Sequence, residues 1–280
     1  MRNLKIACVQ TCTGEDKQAN LEKVLPAIVT AARGGAQFIV LPETSNFMVQ
    51  GRSKIAERLV AEEEDIFVLG LSAAAKAHGV MVLAGSVIVK SDDVRAANRS
   101  LLIGADGAIK ARYDKIHLFD VALASGESHH ESRRFRPGEK AVLYSSDTVN
   151  IGLTICYDLR FSGLFRGLAQ AGAQIITVPS AFTRPTGEAH WHVLLRARAI
   201  ETGCFVVAPA QSGKHENGRE TYGHSLIVNP WGEIIAKAEN KPNIDGVELI
   251  FADINFDEVA QARAQIPALT HDREFKLEII

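Results

Sequence analysis

The stretch GAQFIVLPE at 35–43 returns as GAQIITVPS at 172–180, and two further pairs follow in the same order. GVMVLAG (79–85) is echoed by GCFVVAP (203–209), and SLLIGADGAIKA (100–111) by SLIVNPWGEIIA (225–236), with the serine and the turn glycine equally spaced in both copies. Ordered matches of this kind mark an internal duplication. Each copy reads as strand, helix, strand, helix, strand and hairpin, because short β-branched runs alternate with longer segments of helical period. A sheet covered by helices on one face must bury its other face. Two such halves satisfy each other by packing sheet on sheet. The expected fold is therefore α/β, an αββα four-layer sandwich with pseudo-duplicated halves, and the functional site is expected where the halves meet.

Strands are predicted at 4–10, 36–41, 80–89, 99–104 and 108–114, with a helix at 55–78 closed by Gly79. Gly34-Gly35 marks the end of the first helix, and Asp106-Gly107 a hairpin. No Pro/Gly/Ser-rich linker interrupts 1–280, which reads as a single domain.

Composition narrows the partners. A formal charge of −2 from 31 basic and 33 acidic residues leaves no basic stripe for nucleic acid and no polybasic segment for a membrane surface. The N-terminus lacks the apolar core of a secretory signal, and no run reaches the ~18 apolar residues of a membrane span, so a cytoplasmic location is expected. Four cysteines without CxxC spacing point to reduced thiols and no metal. Cys8 and Cys204 read as core, whereas Cys12 is the candidate for a second reactive thiol.

The duplication singles out a residue. Glu43 ends one copy of the repeated strand where the other has Ser180, so the carboxylate is not required by the strand–proline geometry. Strand ends are where α/β proteins present functional groups. Lys115 in RYDKIHLFD and Cys156 in VNIGLTICYDLR stand at comparable positions. A thiol attacking a carbonyl needs a base and donors for the oxyanion. Burial raising Glu43 toward neutrality would let it act as that base. Lys115 would lower the thiol pKa and hold the oxyanion, with the backbone N–H of Tyr157 as the second donor.

LPETSNF with Glu43, YDKIHLFD with Lys115 and GLTICYDLRF with Cys156 together resemble the three motifs of the nitrilase superfamily of carbon–nitrogen hydrolases, in that family's order. The resemblance runs over nearly the whole chain and implies the same αββα fold, a Glu-Lys-Cys triad and no cofactor. A further glutamate that assists the family's triad corresponds to Glu131 in HESRRFRPGE, with Glu127 as its rival. Tyr157-Asp158 after the cysteine, in place of the Trp-Glu of nitrilases proper, resembles the amidase branches. GEAHWHVLLRARAIETGCFVVAPAQ and YGHSLIVNPWGEIIA are most similar to the deaminated glutathione amidases, which form 2-oxoglutarate and Cys-Gly. The alternatives are an ω-amidase acting on 2-oxoglutaramate, or another amide hydrolase of the superfamily. The family commonly forms homodimers or higher homo-oligomers.

A 2-oxo acid requires a carboxylate-binding group, for which Arg160, Arg166 and Arg184 are candidates. PSAFT (179–183) follows the strand that corresponds to the Glu43 strand, which is expected to bring Ser180, Phe182 and Thr183 close to the substrate.

Overall fold

The computed structural model describes residues 3–122, 128–244 and 246–280. Its first sheet has seven strands, in the order Glu248–Asn255, Asn3–Gln10, Phe38–Val40, Met81–Leu83, Ala96–Ile103 and Val87–Lys90, with Ile109–Asp114 also paired to Ala96–Ile103. The second has six, ordered Ile234–Lys237, Leu226–Val228, Phe205–Ala208, Ile175–Thr177, Asn150–Leu153 and Val142–Ser145. The duplication extends to register. In each half a parallel trio runs into an antiparallel hairpin, and each hairpin bulges between equivalent residues, Leu102/Ile103 and Ile227/Val228. The hairpin turns are closed by Gly107 (φ +81°) and Gly232 (φ +88°), a backbone region that favours glycine.

Side-chain alternation in the strands builds the layers. From Asn3–Gln10, Ala7 and Val9 pack with Ala27 and Ile28 of helix α1 (Lys17–Arg33). Ile6 and Cys8 face the other way, into one apolar cluster with Leu153, Ile175 and Phe205 of the second sheet. On that sheet's outer side a Cβ on Gly152 would meet Leu168 and Ile176. The order is helix, sheet, sheet, helix. Each fully buried large aliphatic side chain in these layers contributes roughly 1.5–3 kcal/mol.

Two expected elements differ. The helix predicted at 55–78 is broken into α2 (Arg52–Arg58), a 3₁₀ turn Glu62–Glu64 and α3 (Ile66–His78). Asp65 restarts it by accepting the N–H groups of Phe67 and Val68 at 3.0 and 3.3 Å, an N-cap fixed by Lys17 at 2.6 Å. Glu62 turns inward to pair with Arg99 and Arg112 at 3.1 and 2.7 Å. The strand predicted at 80–89 splits into Met81–Leu83 and Val87–Lys90 around Gly85, at φ +68°. A Cβ there would lie 2.0 Å from the carbonyl oxygen of Pro42. The break lets the chain just before Glu43 press onto Gly85, and Ser86 Oγ then accepts Thr44 N–H at 2.9 Å.

Three further helices complete the fold: α4 (Ser162–Gln170), α5 (Arg184–Thr202) and α6 (Asp257–Gln265). α4 and α5 cover the second sheet, with Phe165, Trp191 and Leu195 in its apolar cluster.

Candidate active site

Four buried polar side chains from separate segments meet between the sheets. Glu43 follows the strand Phe38–Val40, and its Oε1 accepts Lys115 Nζ at 2.8 Å and Asn98 Nδ2 at 3.0 Å. Its Oε2 accepts the Ala181 N–H at 2.9 Å, and the Cys156 thiol is a further hydrogen-bond partner of the carboxylate. Lys115 lies just past the hairpin strand Ile109–Asp114 and also donates to both oxygens of Glu131, at 3.0 and 2.9 Å. Glu131 opens a 3₁₀ turn and is fixed from behind by the Phe119 N–H at 2.6 Å. Cys156 starts the turn Cys156–Arg160 at φ +50°, a strained conformation for a side-chain-bearing residue, and its N–H is tied to the Pro179 carbonyl at 3.0 Å. Tyr157 is the second residue of that turn, where a backbone N–H has no intrahelical acceptor.

The electrostatics differ from the sequence expectation. Burial alone would raise the Glu43 carboxyl, but the charge and hydrogen bond of Lys115 outweigh it and hold the group below the usual carboxylate range. Burial opposes the charge on Lys115, and the carboxylates of Glu131 and Glu43 prevail, so the ammonium is held well above its ordinary value. Burial pushes the Cys156 thiol up and the Glu43 charge adds to this, while Lys115 only partly counters. The resting cluster is thus a carboxylate, an ammonium and a neutral thiol. Glu43 needs no rise toward neutrality to serve as acceptor for the thiol proton.

These groups open into a cavity of about 1160 Å³. Among its described lining residues seven are Lys or Arg and three are Glu, in a chain of net charge −2. Arg160 lines it, with its guanidinium 5.5 Å from the ring of Phe182 and 5.9 Å from that of Tyr157. Phe182 and Thr183 also line it, although the Thr183 hydroxyl is 2.8 Å from that of Thr186. Arg184 reaches the rim but is paired with Glu188 and Glu220, both at 2.9 Å. Arg166 lies elsewhere, bound to Asp272 at 2.5 Å. Ser180 is fully buried, is absent from the described lining, and donates its hydroxyl to Val178 O at 3.0 Å. Glu127 lies outside the described residues. Among the described residues no group of three or more His, Cys, Asp or Glu is placed to hold a metal ion, and no helix is long and apolar enough to cross a membrane.

The carbon-nitrogen hydrolase profile matches residues 5–264. The chain belongs to the carbon–nitrogen hydrolase family. Among its relatives, the deaminated glutathione amidase of Synechocystis sp. is 40% identical over 97% of this chain and 98% of that protein. The enzyme of the same name from Yersinia enterocolitica is 38% identical, over 98% and 94%. The NitFhit protein of C. elegans superposes with a TM-score of 0.89 at 32% identity, covering 98% of this chain and 66% of that longer one. An amidase mutant from Nesterenkonia sp. AN1, carrying acrylamide added to its active-site cysteine, gives a TM-score of 0.76 at 25% identity, over 94% and 98%. This carbon–nitrogen hydrolase is an amidase, with the nitrilase fold.

Several residues around the site of this hydrolase carry no motif of their own. Asn98 donates to both Glu43 and Glu131, at 3.0 and 3.4 Å. An asparagine inside the apolar strand AANRSLLI was the available signal, since strands disfavour it. Gln211 ties the second half to the first by donating to the Glu43 carbonyl at 2.9 Å. Asp158 accepts from Tyr113 Oη, Ile155 N–H and His117 N–H at 2.6, 2.8 and 3.0 Å. His117 also directs Nδ1 at Asp158, at 2.7 Å, and stacks on Phe161. Cys12 is half-buried, and burial raises its thiol. Its neighbour His215, 3.5 Å away, points the same Nδ1 at Thr13 O at 2.9 Å. That nitrogen therefore carries a proton and is no base for Cys12.

Proposed function

We propose that this amidase hydrolyses a small anionic amide, deaminated glutathione, to 2-oxoglutarate and Cys-Gly. The surplus of cations around a buried thiol, carboxylate and ammonium carries the reading. A dicarboxylate is drawn into such a cavity and a neutral peptide is not. Its volume exceeds the ~300–1000 Å³ typical of ligand sites, which favours a tripeptide-sized substrate over the smaller 2-oxoglutaramate. The names of the relatives point the same way.

In the proposed reaction Glu43 takes the thiol proton as Cys156 sulfur bonds to the amide carbon. The oxyanion is held by Lys115 and the Tyr157 N–H. Glu43 then gives its proton to the amide nitrogen as the C–N bond breaks, leaving a thioester and a free amine. Water, deprotonated by Glu43, attacks the thioester, and the acid leaves as the thiol regains its proton. Glu131 keeps Lys115 in place and charged throughout. Arg160, Phe182 and Thr183 contribute to binding. The protein is further proposed to act as one domain over 1–280, as a homo-oligomer, in the cytoplasm. Exposed Val193 and Trp231 and the apolar end of the chain, from Phe275 to Ile280, supply surface for self-association.

The test compares the protein with its Cys156→Ala variant on deaminated glutathione and on 2-oxoglutaramate, detecting 2-oxoglutarate. Cys156-dependent preference for the first supports the reading. Preference for the second assigns an ω-amidase, and silence on both removes these two substrates and leaves only the amidase chemistry standing.

A further inference from the structure

Besides Arg160, two half-buried guanidinium groups in the cavity wall lack, among the described residues, the carboxylate partners that other enclosed cations have. Lys115 sits between two carboxylates, Arg99 is paired with Asp114 and Glu62, and Arg198 binds Leu159 O and Glu201. Arg134 and Arg219 line the same cavity, and neither has a carboxylate within ion-pair distance among the described residues. Arg219 donates one Nη2 hydrogen bond to Ala181 O, while its Nε is buried with no partner. The Arg134 guanidinium lies 5.7 Å from the Phe135 ring. Burial disfavours the charged form of Arg134, the carboxylates of Glu131 and Asp120 only partly offset it, and the neighbouring charge of Arg219 adds to the cost. A guanidinium does not shed its proton at working pH, so an anion is the means of relieving two adjacent, partly enclosed positive charges. Arg52 and Arg133 also reach the lining but are exposed and stay hydrated.

The position of the pair selects which acid it takes. Arg219 holds the carbonyl of Ala181, whose N–H holds Glu43 Oε2, so Arg219 lies one residue away from the group that protonates the leaving nitrogen. Arg160 instead belongs to the turn of Cys156 itself. We infer that Arg134 and Arg219 form one station for the carboxylate of the departing amine, the C-terminal acid of Cys-Gly, and leave Arg160 for the 2-oxo acid. This rests on the proposed substrate. A fork of two guanidiniums offers a carboxylate bidentate, charge-assisted hydrogen bonds. The station has no role with 2-oxoglutaramate, whose leaving group is ammonia, and so acts as a specificity device.

The experiment measures the ratio of kcat/KM for deaminated glutathione to that for 2-oxoglutaramate. Arg134→Gln is expected to lower this ratio about 10- to 100-fold, mostly through KM, and Arg134→Lys to restore part of it. Arg219→Gln should act alike; because Arg219 also holds Ala181 O, the Arg134 variants decide if it misfolds. Equal losses on both substrates would overturn the station. Calorimetry provides an arm independent of turnover, titrating Cys-Gly and its C-terminal amide into the Cys156→Ala protein. The acid should bind about tenfold or more tighter, and Arg134→Gln should erase the difference. Equal binding of acid and amide refutes the station. Failure to cleave deaminated glutathione with the acid preference intact refutes only the proposed substrate.

Discussion

The buried carboxylate of Asp158, two residues after Cys156, lies 2.6 Å from the hydroxyl of Tyr113, two residues before Lys115. One carboxylate thus ties the strand that leads to the lysine to the turn that carries the thiol. Every hydrogen bond it receives from Tyr113, Ile155 and the His117 backbone comes from a donor. An amide in its place turns an NH₂ toward one of them. Asp158→Asn is expected to destabilise the fold by about 3 kcal/mol or more, read from urea denaturation. Surviving protein should show a lowered kcat with little change in KM. Unchanged stability would mean that the site tolerates an unmet donor.

Among the described residues Lys115 is the cation that bridges Glu43 and Glu131 in the buried cluster. Lys115→Met leaves two carboxylates uncompensated at short range, and a loss of roughly 3–5 kcal/mol is expected. The double variant Lys115→Met/Glu131→Gln should recover part of that loss while remaining inactive. A double variant no more stable than the single one would place the cost in packing.

The pH profile follows from the signs of the shifts. Glu43 is held below its ordinary 4.5, so its contribution to stability is complete above that value and disappears as pH falls through the depressed one. Lys115 is held above its ordinary 10.5, so its contribution is complete below 10.5 and is lost only as pH rises through the raised value. With Glu43 as base and a neutral thiol, kcat/KM should stay level from about pH 5 to about pH 9 and fall on the acid side only below the ordinary carboxylate range. An acid limb between about pH 6 and 7, removed by a histidine substitution, would transfer the base role to that histidine.

Gly85 allows the carbonyls of Leu41 and Pro42 to approach where a Cβ would sit 2.1 and 2.0 Å from them. Gly85→Ala must push that backbone away at a position already at φ +68°, and Glu43 follows directly after it. The expected result is a drop of several degrees in Tm together with a loss of kcat greater than the population of folded protein explains. Normal kcat in the folded fraction would uncouple this contact from Glu43.

The layers and the duplicated plan were legible because alternation and period are local properties, and the hairpin at Asp106-Gly107 was fixed by its two turn residues. The break at Asp65 was not. Its cap depends on Lys17, which is distant in sequence, and the inward turn of Glu62 depends on two arginines of a later hairpin. The site divides in the same way. Glu43, Cys156 and Lys115 stand at strand ends or past a hairpin, where sequence can find them. Asn98, Gln211 and the guanidiniums of Arg134 and Arg219 gain meaning only from partners, or missing partners, far along the chain. Ser180 shows the reverse: repeat position placed it beside Phe182 and Thr183, but its hydroxyl turns back to its own strand.

Glu43, Lys115 and Glu131 come from the first half of the chain and Cys156 from the second, and the two sets are joined across the apolar layer that includes Ile6, Cys8, Leu153 and Ile175. Sliding one sheet over the other by an ångström would leave every strand ladder intact and still part the thiol from its carboxylate. The alignment of the proposed reacting groups is therefore a shear property of the whole sandwich. Substitutions in that middle layer, far from any polar group, can detune the chemistry without touching it.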